Sequence, residues 1–277
     1  MIGERRLPTG IPGLDHMLGG GLIPGRPYVV TGVPGSGKTT FGIQFLQEGV
    51  RQGTNALFVT IDEPPSEVMD NVRSFGWDVG KIRILNAHPG ARGYRTKAPL
   101  VEVAAQRSVS VLREAREPHS PDGRAPPELN IPSLQLMLKQ EFDERYYARV
   151  VIDSMTTLKL FCGTEDERLI GIQSLLRFLS ESEVTALLVT DLPDPTTLEP
   201  EIFLARGEVR LHKTMVRSRM ERSLTIERLR GSSHDTVPRP FMITDHGIVV
   251  ESNRRVRRQF RFPRPPVNSA SPVMGYS

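Results

Sequence analysis

The sequence predicts an α/β fold: a mostly parallel, twisted sheet flanked by helices, with antiparallel strands near its C-terminal end. Three observations predict it. Short apolar, β-rich runs alternate with segments of helical periodicity as far as residue 191, the pattern of parallel strands joined by helices. A single glycine-rich loop, "TGVPGSGKTT" (31–40), lies between one such run and one such segment. Beyond residue 206 the helical pattern gives way to alternating stretches, which read as antiparallel strands.

The elements follow in order. A strand over Tyr28 to Thr31 enters the loop, and a helix leaves it from Lys38 to about Gln52, with Phe41, Phe45, Leu46 and Gly49 near helical spacing. "NALFVTID" (55–62) is an apolar run ending in an acid; a helix follows over about Pro65 to Phe75, then the strand "IRILNA" (82–87). Residues 89–132 hold seven prolines around one helical stretch, Leu100 to Glu117, and read as an irregular, insertion-like segment with an exposed loop at 117–130. A helix over 134–147 delivers the chain into "ARVVIDSM" (148–155). A further helix spans about Glu167 to Ser182 and precedes "TALLVTD" (185–191). "GEVRLHK", "RSLTIERLR" and "PFMITDHGIVV" then alternate as antiparallel strands, the last turning at Asp245-His246-Gly247.

The chain has 277 residues, 38% hydrophobic and 25% charged, enough for one sizeable core. Residues 1–250 are expected to form one domain and residues 251–277 a basic tail without fixed structure. The tail's six arginines against one acid give it a net +5, which leaves the first 250 residues at −1 of the formal +4. The pI of 9.4 therefore belongs to the tail and not to a binding face. A nucleic-acid partner is possible on charge but not favoured. No run approaches the ~18 apolar residues that span a membrane, and the single cysteine, Cys162, fits a reducing cytoplasm. The six histidines show no metal-ligand spacing.

The loop carries the chemistry. Gly32, Gly37, Lys38 and Thr39 fit G-x-x-x-x-G-K-[ST], with Gly35 inside it. Glycines let the chain curl so that backbone N–H groups converge on a phosphate. The following helix presents its positive end to the same anion. Lys38 can reach the β- and γ-phosphates, and the Thr39 hydroxyl can ligate Mg²⁺. Asp153 ends a buried strand at the edge where open α/β sheets bind ligands, and it is the second expected Mg²⁺ residue. Asp62 and Glu63 end another strand and supply a base or water-orienting carboxylate. Glu63 is favoured for its reach, and Pro64-Pro65 restricts its backbone. Arg228 and Arg230, two apart on a predicted strand, point to one face and could stabilise a γ-phosphate in the transition state; their spacing does not say whose.

These residues, in this order, resemble the KaiC-like ATPases of the RecA superfamily. The resemblance rests on residues 9–49, "VTIDEPP" and "VRSFGWD" (59–78), "RVVIDS" (149–154) and "LRGSSHDTVPRPFMITDHGI" (229–248), and it frames most of residues 7–250. It is weak across 89–132 and absent from the tail. It implies a RecA-type fold, hydrolysis of ATP with Mg²⁺, and nucleotide sites between the subunits of a ring, usually a hexamer. Gly35, Ser36, Gly37, Lys38, Thr39 and Thr40 would hold the phosphates, and Ser74 would touch the nucleotide. The neighbouring subunit would add Arg228, Leu229, Arg230, Ser232, His234, Thr244 and Asp245. A regulatory switch acting on a protein partner is the implied role; a RecA- or RadA-like DNA-dependent ATPase is the alternative.

Several positions depart from the family. Clock members carry two such domains per chain, and this chain carries one. Two glutamates usually stand where Asp62-Glu63 stands, and lysine is common at Arg228. The stretch "EIFLARGEV" (201–209) has no hydroxyl where the autokinase domain carries Ser and Thr, so autophosphorylation is not expected.

Overall fold

The structure, a computed structural model, describes residues 6–73, 75–88, 129–194, 197 and 199–252. The expected helix at 100–117, most of the loop at 117–130, Ser74 and the tail from residue 253 lie outside the described residues. In chain order the first elements are α1 (Leu14–Met17), β1 (Pro27–Gly32), α2 (Lys38–Arg51), β2 (Ala56–Thr60), α3 (Pro65–Arg73), β3 (Arg83–Asn86), α4 (Ile131–Glu144) and β4 (Arg149–Asp153). There follow α5 (Met155–Leu160), α6 (Glu165–Glu181), β5 (Thr185–Asp191), α7 (Pro200–Leu204), β6 (Gly207–Val216), β7 (Arg219–Leu229), β8 (Arg239–Thr244) and β9 (Gly247–Val250).

The strands form one sheet in the order β3-β2-β4-β5-β1-β6-β7-β8-β9. From β3 to β6 every pair is parallel, and from β6 to β9 every pair is antiparallel. This corrects one expectation. "GEVRLHK" (β6) runs parallel to β1 on one side and antiparallel to β7 on the other. The connection through α7 carries the chain back to the end of the sheet where β1 starts, so β6 must run the same way. A run of alternating residues does not record that direction.

The central strands are apolar on both faces because both are covered. Tyr28, Val30, Phe58, Val151, Leu187 and Val189 pack with α2 and α3. Val29, Leu57, Val59, Val150, Ile152 and Leu188 pack with α4, α5 and α6. Consecutive residues alternate between the two clusters, as the two-residue period of a strand requires.

Two helices differ from expectation at their ends. α4 starts at Ile131, three residues early, because Asn130 and Ser133 form a reciprocal cap and Pro132 in the first turn has no N–H to leave unpaired. It stops at Glu144, where the chain turns to bury Tyr147 and lets its hydroxyl donate to Glu141 Oε2 at 3.0 Å. α6 starts at Glu165 behind a Thr164–Glu167 capping box.

Arg149, at the start of β4, is fully buried. Its guanidinium donates to the carbonyls of Pro8 (2.7 Å) and Phe45 (3.2 Å) and to Gln52 Oε1 (3.2 Å), and it lies 4.6 Å from the Phe45 ring centroid. Burial pushes its pKa down to about 10, against the pull of Glu48 and Asp15. It ties the N-terminal segment to α2. Arg149→Ala is expected to destabilise the fold by about 3 kcal/mol, because a buried and a part-buried carbonyl lose their donor and a large side chain leaves a cavity. A urea titration that finds the variant within ~0.5 kcal/mol of the parent, the range of an ordinary surface change, would contradict this.

Candidate functional site

The parallel strands end on one edge, and the predicted phosphate loop lies there. Gly32 closes β1 with φ 151°, Gly35 has φ 71°, and Gly37, the residue before α2, has φ 108°. A β-carbon on Gly32 would collide with the carbonyl oxygen of Leu211, so this position is closed to other residues. The first turn of α2 carries no acidic residue, which leaves its positive end free for an anion. Thr40 is half-buried in that turn. Ser36 is fully buried, and its N–H donates to Val33 O at 3.1 Å.

Lys38 is almost entirely buried. Its amine donates to Gly32 O and Val33 O, both at 3.0 Å, and pairs with Asp191 Oδ1 at 2.6 Å. Asp191, at the end of β5, is a site residue that sequence reasoning missed. The signal was available: "TALLVTD" is an apolar run ending in an acid, the same pattern that singled out Asp153 in "RVVID". Asp191 is held in turn by its N–H donating to Thr156 Oγ1 at 2.8 Å.

Thr39 donates its hydroxyl to Asp153 Oδ2 at 2.7 Å, so the two expected Mg²⁺ residues meet. Loss of solvent around Asp153 pushes its pKa up to about 7; the Thr39 hydrogen bond opposes this, repulsion from Asp62 adds to it, and Lys38 and Asp191 act in opposite senses. A hydroxyl and a carboxylate are hard oxygen donors of the kind Mg²⁺ takes. A carboxylate crowded by two others has a deficit of positive charge that a divalent cation would meet. The residues fit the ion.

Asp62, Glu63, Thr39 and Asp153 line one cleft. The two adjacent acids point apart. Asp62 accepts from Ser154 Oγ at 2.9 Å, beside the Asp153–Ser154 peptide bond, which is cis. Glu63 Oε2 accepts from Asn71 on α3 at 3.1 Å, and α3 begins at Pro65, directly after the Pro64 that follows Glu63. Ser154 and Asn71 are the positioning partners that the sequence did not reveal.

The arginines lie at the other edge. β7 ends at Leu229, so Arg230 stands just past the strand and not within it. Arg228 reaches Ala205 O at 3.4 Å and exposed Arg230 reaches Phe203 O at 2.6 Å, so both turn towards the segment between α7 and β6. Burial lowers the pKa of Arg228, and Arg230 beside it adds to this. Leu229 is buried in the core and has only its backbone to offer a ligand. Ser232 accepts from Arg6 at 2.7 Å, and His234 Nδ1 is 3.3 Å from Ser232 O. Arg230 N–H donates to Arg206 O, and Arg206 N–H to Pro27 O. Arg230 is therefore level with the first residue of β1, whereas the phosphate loop follows its last. Five residue steps of strand at ~3.3 Å each put roughly 16 Å between them.

Within the chain, Thr244 and Asp245 lie apart from this group. They sit in the β8–β9 turn, on the chain's own phosphate-loop edge. Ile243 Cδ1 lies 3.0 Å from where a β-carbon on Gly37 would be, and Ile248 N–H donates to Gln44 Oε1 of α2 at 2.7 Å. Thr244 Oγ1 closes the turn by donating to Gly247 O at 3.0 Å, and Asp245 is exposed at its tip. The reason is strand direction. β7 runs down from the loop edge and ends at the arginines; β8 runs back up, pairs with β7 at Leu224↔Arg239, and ends above the loop.

A family model described as "ATPase: KaiC" matches residues 7–255. The chain is 32% identical, over 256 residues, to a UPF0273 protein from Thermotoga maritima, covering 89% of this chain and 96% of that one. It is 31% identical, over 254 residues, to the circadian clock oscillator protein KaiC from Synechococcus elongatus, covering 88% of this chain and 43% of that one. Among solved structures, a KaiC-like protein from the archaeon Pyrococcus horikoshii is similar, with a TM-score of 0.69, 26% identity, and coverage of 89% of this chain and 99% of the other.

Proposed function

The chain belongs to the KaiC ATPase family, and on that premise we propose that it binds and hydrolyses ATP with Mg²⁺ at sites shared between the subunits of a hexameric ring. The ring would act in the cytoplasm as a regulatory switch whose nucleotide state a protein partner reads. The observation that carries this reading is the division of the site between two edges of one sheet. Lys38, Thr39, Asp153, Asp62 and Glu63 meet at one edge, and Arg228 and Arg230 stand at the other. No side-chain rotation in one chain brings the arginines to the loop. A neighbour stacked edge to edge supplies them.

In this mechanism the N–H groups of Gly35 to Thr40 receive the phosphates. Lys38 moves its charge from Asp191 to the phosphate chain. Thr39 and Asp153 would hold Mg²⁺, which supplies neutralisation of phosphate charge when bound. Glu63, steered by Asn71, orients the attacking water and takes its proton, while Asp62 is held off by Ser154. Arg230 and Arg228 of the neighbour stabilise the charge that develops on the γ-phosphate.

The test is complementation. Lys38→Ala and Arg230→Ala chains are each expected to be inactive, for different halves of one site. Co-refolded in equal amounts, they should form rings in which about a quarter of interfaces are intact, because each half survives in half the subunits. ATPase activity no greater than the sum of the parents, in rings shown to be mixed, would rule out a shared site.

A further inference from the structure

We infer that Lys213 is a second cation for the phosphate chain of the nucleotide, standing on the β6 side of the phosphate loop as Lys38 stands on the β5 side; this rests on the ATP-binding reading above. Leu211 of β6 is level with Gly32, the last residue of β1. Lys213 is two residues further on, past the end of β1, where β6 continues paired with β7 alone. By strand alternation it points the same way as Leu211, towards the α2 side on which the loop lies. Its amine is 3.2 Å from the position a β-carbon on Gly35 would take, so it hangs over the middle of the loop.

The charges around it are unbalanced. Lys38 has Asp191 and two carbonyls for its amine. Lys213, half-buried, has no hydrogen bond or ion pair among the described residues. Directly across the β6–β7 ladder stands Arg222, with its Nε buried and unpartnered. Like charges facing each other across a ladder are destabilising. Two cations on one face, next to the glycine-rich loop, are relieved by a polyanion lying between the loop and the hairpin. The longer the phosphate chain, the more of that charge it meets.

The position also suits the loop's chemistry. Gly35 has no side chain, and a β-carbon there would lie 3.2 Å from the Lys213 amine. The absence of a side chain keeps the amine's path to the phosphates open.

The experiment measures ATP dissociation constants for the full chain, by competition against a fluorescent ATP analogue with Mg²⁺ present. The parent, Lys38→Ala, Lys213→Ala and Lys213→Arg are compared. Lys213→Ala is expected to weaken ATP binding about tenfold, the low end for a charge-assisted hydrogen bond, because the site is partly open to solvent. Lys213→Arg should stay within about threefold of the parent, since it keeps the charge over the loop. Unchanged binding by Lys213→Ala, beside loss in Lys38→Ala, would overturn this inference alone. Equal weakening by the alanine and arginine variants would overturn it too, because shape and not charge would then matter. Failure of the parent to bind ATP would overturn both this and the function it rests on.

Discussion

Lys38→Ala is expected to lose ATP binding, whereas Glu63→Gln keeps parental affinity and hydrolyses ATP at least about a hundredfold more slowly. The two changes act at different points on the reaction path. Lys38 places a buried positive charge against the phosphates in the ground state as well as in the transition state, so its loss removes binding itself. The variant also leaves Asp191 facing Asp153 with no cation between them, which repels a polyanion further. Glu63→Gln retains the shape and the bond to Asn71 but cannot take a proton. Nucleotide binding by fluorescence and phosphate release by a coupled assay separate the two effects. Parental hydrolysis by Glu63→Gln would move the base to Asp62, and Asp62→Asn would then carry the defect.

Asp153 should make Mg²⁺-dependent ATP binding depend on pH. Its folded pKa is about 7, raised above the ordinary carboxylate value mainly by burial. A cation must displace its proton below that pH, so affinity should rise up to about tenfold per unit between pH ~6 and 7 and level off by pH ~8. The nucleotide's own phosphate titrates near ~6, so the reference is Asp153→Asn, which keeps only the phosphate's share and binds Mg²⁺ poorly. Stability has the opposite sign. The unfolded chain gives up this proton near the ordinary carboxylate value of 3.8 and the folded chain holds it to about 7. Asp153's contribution to stability is therefore full below pH ~4 and is lost as pH rises to 7. Without nucleotide, Asp153→Asn should melt higher than the parent at pH ~8, with the gap narrowing steadily as pH falls and closing near pH ~4. Identical pH profiles for parent and Asp153→Asn would show that Asp153 is not the group that titrates.

The sequence by itself determined the phosphate loop, the carboxylate at the end of β4, the acidic pair after β2 and the alternation that makes a mostly parallel sheet. Each is a local signal. A tight curl needs glycines at fixed offsets, and a strand covered on both faces needs an unbroken apolar run before its polar end. Even Asp191 was legible in this way, by the same run-then-acid pattern as Asp153. Only the tertiary structure decided which of these ends meet. Arg230 and Asp245 are fifteen residues apart in the one stretch "LRGSSHDTVPRPFMITD", yet they stand at opposite edges of the sheet, because β7 and β8 run in opposite directions. Lys213 reads in the sequence as one more basic residue on an alternating strand. It becomes a neighbour of Gly35 only because β6 pairs in register with β1 and outruns it. Side-chain pattern records period and burial along the chain; the direction and register of pairing are set by contacts between segments far apart in it, and those contacts place each charge at one end of the sheet or the other.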